Sequence, residues 1–561
     1  MFTRILIANR GEIAVRVIRT CRELGVASVA VYSDVDARAR HAQFADEAVH
    51  LPGVAPVDTY LNAEAVIEAA LRTGAEAIHP GYGFLSESAL FAEAVLEAGL
   101  TWVGPPPAAT RLLGDKIAAR RVAQGAGVPV VPGLLEPAEE ADEVLHFGSE
   151  FGYPIAIKAA GGGGGRGLKV ARSDDEVLEA FESARREAEA YFGSRDVFVE
   201  RYLEGPKHLE VQLLAPNPDE ALWLGVRDCS LQRRHQKLVE ETPPPLWTNL
   251  VPEMGAAAVA LSKASGYVNA GTVEMLVDSL GHFYFLEVNA RLQVEHTVTE
   301  EVLGVDLVAC QLRIASGDEL GLTQDEIESR GHAIECRINA EDPSRNFAPT
   351  PGVIQRLVEP NGLGVRFDSG YASGDEVPAA YDSLIAKLVT WGRDREESRR
   401  RMLRALDELV VDGVKTTVAA HKLLIENDSF IAGDHTTTTV EGSDVLAPLA
   451  REEEISAGPR DVLLIEGRAV RLWNPAMSAS AAAATHGASS DGGDVVAPMQ
   501  GTVIKVLAEA GDAVKGGDPL IVLEAMKMET ALAAPRAGTV ASISVVPGDT
   551  ASAGQVVATI E

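Results

Sequence analysis

Ala497-Pro498-Met499-Gln500-Gly501-Thr502-Val503 returns as Ala534-Pro535-Arg536-Ala537-Gly538-Thr539-Val540. Gly511-Asp512 returns as Gly548-Asp549, Gly517 as Gly554 and Glu524 as Glu561, always at an offset of 37 residues. A constant offset over a whole segment leaves few folds open, and it implies two similar half-domains about a pseudo-two-fold. Each half alternates apolar and polar residues and breaks at Gly-Asp or Pro-Gly, the pattern of short strands joined by tight turns. Glu524-Ala525-Met526-Lys527-Met528 falls between the halves, so Lys527 is expected to project from the joining turn. A lysine on an exposed turn is ordinarily a solvated charge. Here Met526 and Met528 flank it, where small polar residues are usual.

The remainder of the chain must be judged for what such a projecting lysine serves. At 561 residues it is too long for one core, and three to four units are expected. A net charge of −32 disfavours nucleic acid or an anionic membrane surface as partner. Any phosphate site must therefore be a local basic pocket. Cys21, Cys229, Cys310 and Cys336 form no Cys-x-x-Cys pair, which argues against zinc and dithiol sites. Scattered cysteines suggest a reducing cytoplasm. The apolar run after Met1 is too short for a signal peptide, and none approaches a transmembrane helix.

From the start, Arg4 to Ala8 reads as a buried strand, Ile13 to Leu24 as an amphipathic helix and Val26 to Val31 as a second strand. Strand, helix, strand at this spacing is an α/β unit with a parallel sheet. No Gly-x-Gly-x-x-Gly follows the first strand, which disfavours a dinucleotide site. A second unit holds Lys116, the strand Pro154 to Lys158, and Gly161-Gly162-Gly163-Gly164-Gly165-Arg166-Gly167. Glycines leave backbone N–H groups unscreened, so this loop can wrap phosphate oxygens, with Lys116 and Lys158 as point charges. A flexible linker is the plainer alternative, but the run sits between two strand-like segments. Val197 to Glu204 reads as a strand entering a turn. His208 and Glu210 share a face if extended. Arg227 to Glu241, with His235, Gln236 and Lys237, is dense in both charges and by itself reads as solvated surface.

Thr272 to Val277 and Phe283 to Asn289 read as a hairpin of two apolar strands. Glu287 and Asn289 fall on one face, Arg291 continues it if the strand persists, and Glu274 can face them from the neighbouring strand. Two carboxylates and an amide oxygen make a hard oxygen site for Mg²⁺ or Mn²⁺ beside nucleotide phosphates. Bare carboxylates among Phe283, Phe285, Leu286 and Val288 would be costly without a cation.

Lysines, a glycine loop and this hairpin resemble an ATP-grasp ligase. Glu287-Val288-Asn289-Ala290-Arg291-Leu292-Gln293-Val294-Glu295-His296, with Ile7 to Ala14, His332 to Asp342 and Tyr381 to Lys387, narrows the resemblance to biotin carboxylases over Met1 to about Leu446. The C-terminal repeat resembles the biotinyl carrier domain of biotin-dependent carboxylases, whose modified lysine lies in Ala-Met-Lys-Met.

The resemblance implies an α/β N-terminal Rossmann-like (pre-ATP-grasp) domain over 1–114 and an α+β ATP-grasp domain over 115–317. An α+β biotin carboxylase C-terminal domain over 318–446 follows, and a small all-β biotinyl domain, a flattened barrel, over 494–561; between them the resemblance stops, and 447–493 reads from its residues as a short hairpin and flexible linker. It implies ATP held by Lys116, Lys158, Gly164, Gly165, His208 and His235, with Glu200, Arg201, Tyr202 and Leu203 along the adenine. Mg²⁺ or Mn²⁺ falls to Glu274, Glu287 and Asn289, and bicarbonate to Lys237, Arg291, Gln293 and Val294. Glu295 is expected to take the bicarbonate proton, giving carboxyphosphate, and Arg337 to stabilise the enolate of biotin. Otherwise Arg337 reads as a surface salt bridge. Biotin is expected as an amide on Lys527, attached by a biotin protein ligase.

Arg451 to Asn474 contains one expected hairpin, Val462 to Leu472. Pro475 to Gly493 is rich in Ala, Ser and Gly and reads as a linker with an r.m.s. span of roughly 25 Å. So little chain separates the two modules that no carboxyl transfer domain fits between them. A separate carboxyltransferase β subunit in a hetero-oligomer is then implied, making malonyl-CoA for fatty acid biosynthesis or methylmalonyl-CoA. The alternative is a non-catalytic biotin carrier or scaffold subunit.

Overall fold

A computed structural model describes residues 1–134, 136–159, 168–192, 195–452, 460–465, 468–473, 493–497, 501–525, 528–552 and 554–561. Gly164, Gly165, Lys527 and all of the expected linker but Gly493 lie outside the described residues.

The chain opens with β1 (Arg4–Ile7), α1 (Gly11–Glu23), β2 (Ala27–Tyr32), β3 (Glu47–His50), β4 (Ala77–His79) and β5 (Thr101–Trp102). These strands form one parallel sheet in the order β3-β2-β1-β4-β5. Ile5, Leu6 and Ile7 are fully buried, as a strand covered on both faces requires. The helix starts two residues earlier than Ile13, because Gly11 takes φ +63 and turns the chain directly out of the strand. Gly370 packs on that turn. A Cβ there would lie 2.6 Å from the Glu12 nitrogen, so only glycine lets the C-terminal region approach it.

Next come α2 (Lys116–Gly125), β6 (Ile155–Ala159), β7 (Leu168–Ala171), α3 (Asp174–Phe192) and β8 (Val197–Arg201). The Asp115 side chain caps α2 by accepting from the Ala118 N–H at 2.8 Å. Strands β7-β6-β8 make a small antiparallel sheet. Then follow β9 (Lys207–Asn217), β10 (Glu220–Arg233), β11 (Gln236–Thr242), β12 (Asn269–Val277), β13 (Phe283–Asn289), α4 (His296–Leu303), β14 (His332–Asn339), β15 (Val365–Ser369), β16 (Leu384–Gly392) and α5 (Arg395–Glu408). Their strands form a single eight-stranded sheet, β13-β12-β9-β10-β11-β14-β16-β15, with every neighbouring pair antiparallel. Strand β11 joins β14, so the sheet crosses the expected boundary at 317/318.

The stretch from Arg227 to Glu241 is therefore not solvated surface. It supplies two central strands, and Arg227, Asp228, Glu240 and Glu241 are all buried. The strands meet at a two-residue turn, Arg234-His235, in which both residues have positive φ.

The expected hairpin after residue 451 forms from β17 (Arg460–Ile465) and β18 (Arg468–Trp473). The C-terminal domain comprises β19 (Gly493–Val496), β20 (Gly501–Val506), β21 (Ala513–Val514), β22 (Pro519–Ala525), β23 (Met528–Ala533), β24 (Gly538–Ile543), β25 (Thr550–Ala551) and β26 (Val556–Ile560). They form two four-stranded sheets, β19-β26-β24-β21 and β23-β22-β20-β25. Shifting either order by the sequence repeat gives the other. Backbone bonds obey the same symmetry. Gly511 N–H donates to Val540 O at 2.8 Å and Gly548 N–H to Val503 O at 2.7 Å. Gly517 donates to Ala534 and Gly554 to Ala497. Val503, Val540, Leu523 and Ile560 pack in the shared core. No helix among the described residues is long and apolar enough to cross a membrane. All four cysteines are buried.

Candidate active site

Cross-strand register builds the site. Glu287 on β13 pairs with Glu274 on β12, Glu274 with Glu210 on β9, and Glu210 with Arg227 on β10. Direct partners in antiparallel strands project to the same side of the sheet. One face thus carries three carboxylates and a guanidinium in a row. Lys237 reaches over this row from β11. Its Nζ donates to Glu210 Oε2 at 2.6 Å, Glu274 Oε1 at 3.0 Å and Glu295 Oε1 at 2.6 Å. Burial opposes the ammonium charge, but these carboxylates hold Lys237 well above the ordinary lysine range.

Strand β13 stops at Asn289, so Arg291 does not continue it. A loop carries residues 290–295 into α4. Arg291 folds back so that Nη2 donates to Asn289 Oδ1 at 2.9 Å, while Nε donates to Glu87 Oε2 at 3.1 Å. Gln293 Nε2 donates to Glu274 Oε1 at 2.7 Å. The Val294 carbonyl accepts from Lys387 Nζ at 3.0 Å.

Glu295 immediately precedes α4 and is almost fully buried. Besides Lys237, it accepts from Arg337 Nη2 at 2.9 Å through Oε2. Burial alone would raise its carboxyl. Lys237, Arg337 and Arg227 outweigh burial and hold it well below the usual carboxylate range. Arg337 lies on β14 and also donates from Nε to Glu240 Oε1 at 2.6 Å. It is a half-buried member of the site and not a surface salt bridge. Glu240 and Glu335, register partners on β11 and β14, are pushed upward by burial.

On the other flank, Glu287 has its carboxyl raised by burial and by the Glu274 carboxylate, with Lys116 pulling it down. Glu274 is held low by Lys237 and His208 against the opposing effect of burial. His208 Nε2 lies 3.1 Å from Glu274 Oε2. The donor set fits a divalent cation. Two carboxylates in register repel each other, which adds to burial in raising Glu287, and the buried Asn289 amide adds an oxygen beside them.

Lys158 on β6 donates to Glu200 on β8, and Arg120 approaches Glu200 at 3.7 Å. At the end of β8 the backbone is pinned, with Arg201 N–H on Pro132 O and Tyr202 N–H on Pro154 O, both 2.9 Å. Arg201 Nη1 reaches Tyr284 OH on β13 at 3.4 Å, and Leu203 follows half-buried. His235 sits exposed at the tip of the β10–β11 turn, away from the carboxylate row.

Several contributors were not among the expected residues. Glu210 alternates with His208 on β9, a signal that was available. Arg227 and Glu240 lay within the charge-dense stretch. Glu87, Lys387 and Glu12, whose carboxyl accepts from Tyr82, come from distant segments.

Comparison with known families matches 1–110 to "Biotin carboxylase, N-terminal domain" and 115–323 to "Carbamoyl-phosphate synthase L chain, ATP binding domain". Residues 335–442 match "Biotin carboxylase C-terminal domain" and 493–560 match "Biotin-requiring enzyme". The biotin-dependent acyl-coenzyme A carboxylase alpha3 subunit of Mycobacterium leprae is 45% identical over 100% of this chain and 98% of its own. The biotin carboxylase of a Nostoc species is 50% identical over 78% of this chain and 99% of its own. Among solved structures, the biotin carboxylase domain of Hydrogenobacter thermophilus 2-oxoglutarate carboxylase, in complex with MgADP, ADP and bicarbonate, is 45% identical. It covers 80% of this chain and 99% of its own, with a TM-score of 0.73.

The parallel sheet, the small lid-like sheet and the carboxylate row together define an ATP-grasp ligase. A four-part match in this order adds a carrier module to it. The chain belongs to the biotin carboxylase family, in the form that fuses the carboxylase to its own biotinyl domain.

Proposed function

We propose that this chain is the α subunit of an acyl-CoA carboxylase, fixing bicarbonate onto biotin carried by Lys527. The observation that carries the reading is the Glu295 carboxylate gripped by Lys237 and Arg337 beside the carboxylate row. An ionised carboxylate in reach of a bound anion can accept its proton. In this reading Lys237, Arg291, Gln293 and the Val294 N–H hold bicarbonate, and Arg291 matches its planar oxygens. Glu295 takes the proton as a bicarbonate oxygen attacks the γ-phosphorus, and ADP leaves. The resulting carboxyphosphate breaks its C–O bond to CO₂ and phosphate, which accepts the ureido proton. Arg337 then faces the negative oxygen that develops on the ureido ring, and the ureido nitrogen attacks CO₂ to form the N–C bond of carboxybiotin. Glu274, Glu287 and Asn289 would hold Mg²⁺ or Mn²⁺, which would supply charge neutralisation for the phosphoryl group in transfer. Lys116, Lys158, Gly164, Gly165, His208 and His235 hold the phosphates and ribose, and Glu200 to Leu203 the adenine.

The full-length match to an acyl-CoA carboxylase subunit supports an acyl-CoA as the final acceptor, with acetyl-CoA and propionyl-CoA as the first candidates. A separate carboxyltransferase β subunit would choose between them, and a biotin protein ligase would load Lys527. The domain joints proposed are 114/115, 446/447 and 493/494, with 317/318 only a sequence boundary inside a unit that the eight-stranded sheet holds together. The experiment is co-purification of the biotinylated chain with its partner and assay against an acyl-CoA panel. Carboxylation of one acyl-CoA, dependent on ATP, bicarbonate and Lys527, supports the assignment. ATP cleavage indifferent to bicarbonate would overturn it.

A further inference from the structure

Arg227 is not among the residues assigned to substrate, yet it is fully buried. Its guanidinium has five N–H donors, and each finds a different side chain. Nε donates to Glu210 Oε1. Nη1 donates to Gln212 Oε1 at 2.7 Å and Thr299 Oγ1 at 3.0 Å. Nη2 donates to Thr272 Oγ1 at 3.2 Å and Gln293 Oε1 at 2.8 Å. The five acceptors come from β9, β12, the loop after β13 and α4, so one cation ties the back of the site together.

Two of those bonds decide what the pocket presents. Gln293 has an oxygen end and an amino end, and a donor on the oxygen end leaves only the amino end for Glu274 and the pocket. With the amide reversed, an oxygen would face the substrate anion. Glu210 has its Oε1 on Arg227 and its Oε2 on Lys237, so Arg227 also fixes the carboxylate that aims Lys237. We infer that Arg227 is the positioning residue of the bicarbonate pocket, setting the orientation of the Gln293 amide and the aim of Lys237 from the end of the carboxylate row. The inference rests on the reading of Gln293 and Lys237 as bicarbonate residues.

Arg227→Lys keeps the charge and loses the fork. One ammonium on Glu210 leaves Gln293 unheld. In the full-length biotinylated chain with free biotin as acceptor, the KM for bicarbonate is expected to rise on the order of tenfold to a hundredfold, the KM for ATP staying put. Thr299→Val removes one acceptor at the Nη1 end and is expected to lower the melting temperature while leaving both KM values alone. Thr272→Val, which frees the Nη2 group shared with Gln293, is expected to raise the KM for bicarbonate, and it decides the matter should Arg227→Lys not fold. If Arg227→Lys and Thr272→Val change only melting temperature, as Thr299→Val does, Arg227 is merely structural and the inference is wrong. Gln293→Leu separates the underlying reading: an unchanged bicarbonate KM there removes Gln293 from the pocket whatever Arg227 does.

Discussion

Replacing Glu295 with Gln changes one atom of the site and tests its central claim. The carboxylate now accepts from Lys237 at one oxygen and from Arg337 at the other. An amide has a single acceptor oxygen, so one of the two cations must face an N–H₂ group. Losing one charge-assisted hydrogen bond costs about 1.5–3 kcal/mol of stability. The loss is tempered because Lys237 keeps Glu210 and Glu274, and Arg337 keeps Glu240. The chemical cost is separate. A positioned general base contributes about 10²–10⁴-fold, or about 2.7–5.4 kcal/mol at about 1.36 kcal/mol per decade. The assay is phosphate release by the full-length chain with free biotin, with and without bicarbonate. The expected result is a fall of about 10²–10⁴-fold in kcat for the bicarbonate-dependent rate. The KM for ATP should not move, since both Glu295 oxygens are committed to groups outside the nucleotide set. Near-normal turnover in a folded variant would show that another group takes the proton and would refute the mechanism.

Three further outcomes are expected. Lys527→Arg should abolish the biotin mass increment seen by intact-mass analysis after co-expression with a biotin ligase, while leaving turnover of free biotin in place. Glu287→Gln removes one of the two carboxylates in register and should raise the Mg²⁺ concentration needed for half-maximal ATP cleavage by tenfold or more, on the order of one lost charged ligand contact; an unchanged Mg²⁺ requirement would take Glu287 out of the metal site. Glu12 has its carboxyl pushed up to about 7 by burial, with Lys387 pulling the other way. The folded chain then binds this proton more tightly than the unfolded chain, so the contribution is fully present below the ordinary carboxylate range and is lost as pH rises through about 7. Glu12→Gln should flatten the decline in melting temperature between about pH 4.5 and 7, the span from the ordinary carboxylate value to the raised one, and an unaltered slope would count against it.

What could be read in the sequence was whatever shows as local periodicity. The β12–β13 hairpin announces itself by alternation, which lets Glu274 face Glu287 and Asn289 from the neighbouring strand; the direct pairing of Glu274 with Glu287 comes from the register. The carrier repeat was equally plain, because its symmetry is written as an offset. The β10–β11 hairpin was not legible. Its turn is Arg234-His235, with both φ values positive, and lacks the Asn-Gly that usually marks such a turn. Without the turn, Arg227 to Glu241 looked like charge facing water. Its charges are instead satisfied across strands, Arg227 by Glu210 and Glu240 by Arg337, and register between distant strands leaves no trace in one sequence. Glu87 meets Arg291 across 204 residues and had no local signal at all.

The seam between β11 and β14 bears on anyone who would cut this protein into parts. A fragment ending near residue 317 would strip β11 of its neighbour and leave a bare strand edge bearing Glu240 and Glu241, one without its arginine and the other without His332 and Arg395. Naked edges of that kind recruit other chains. The nucleotide-binding and C-terminal portions are therefore one heritable unit, to be swapped, expressed or recombined whole. The biotinyl domain carries its own closed core, and the shuffling of modules is free to act at its border.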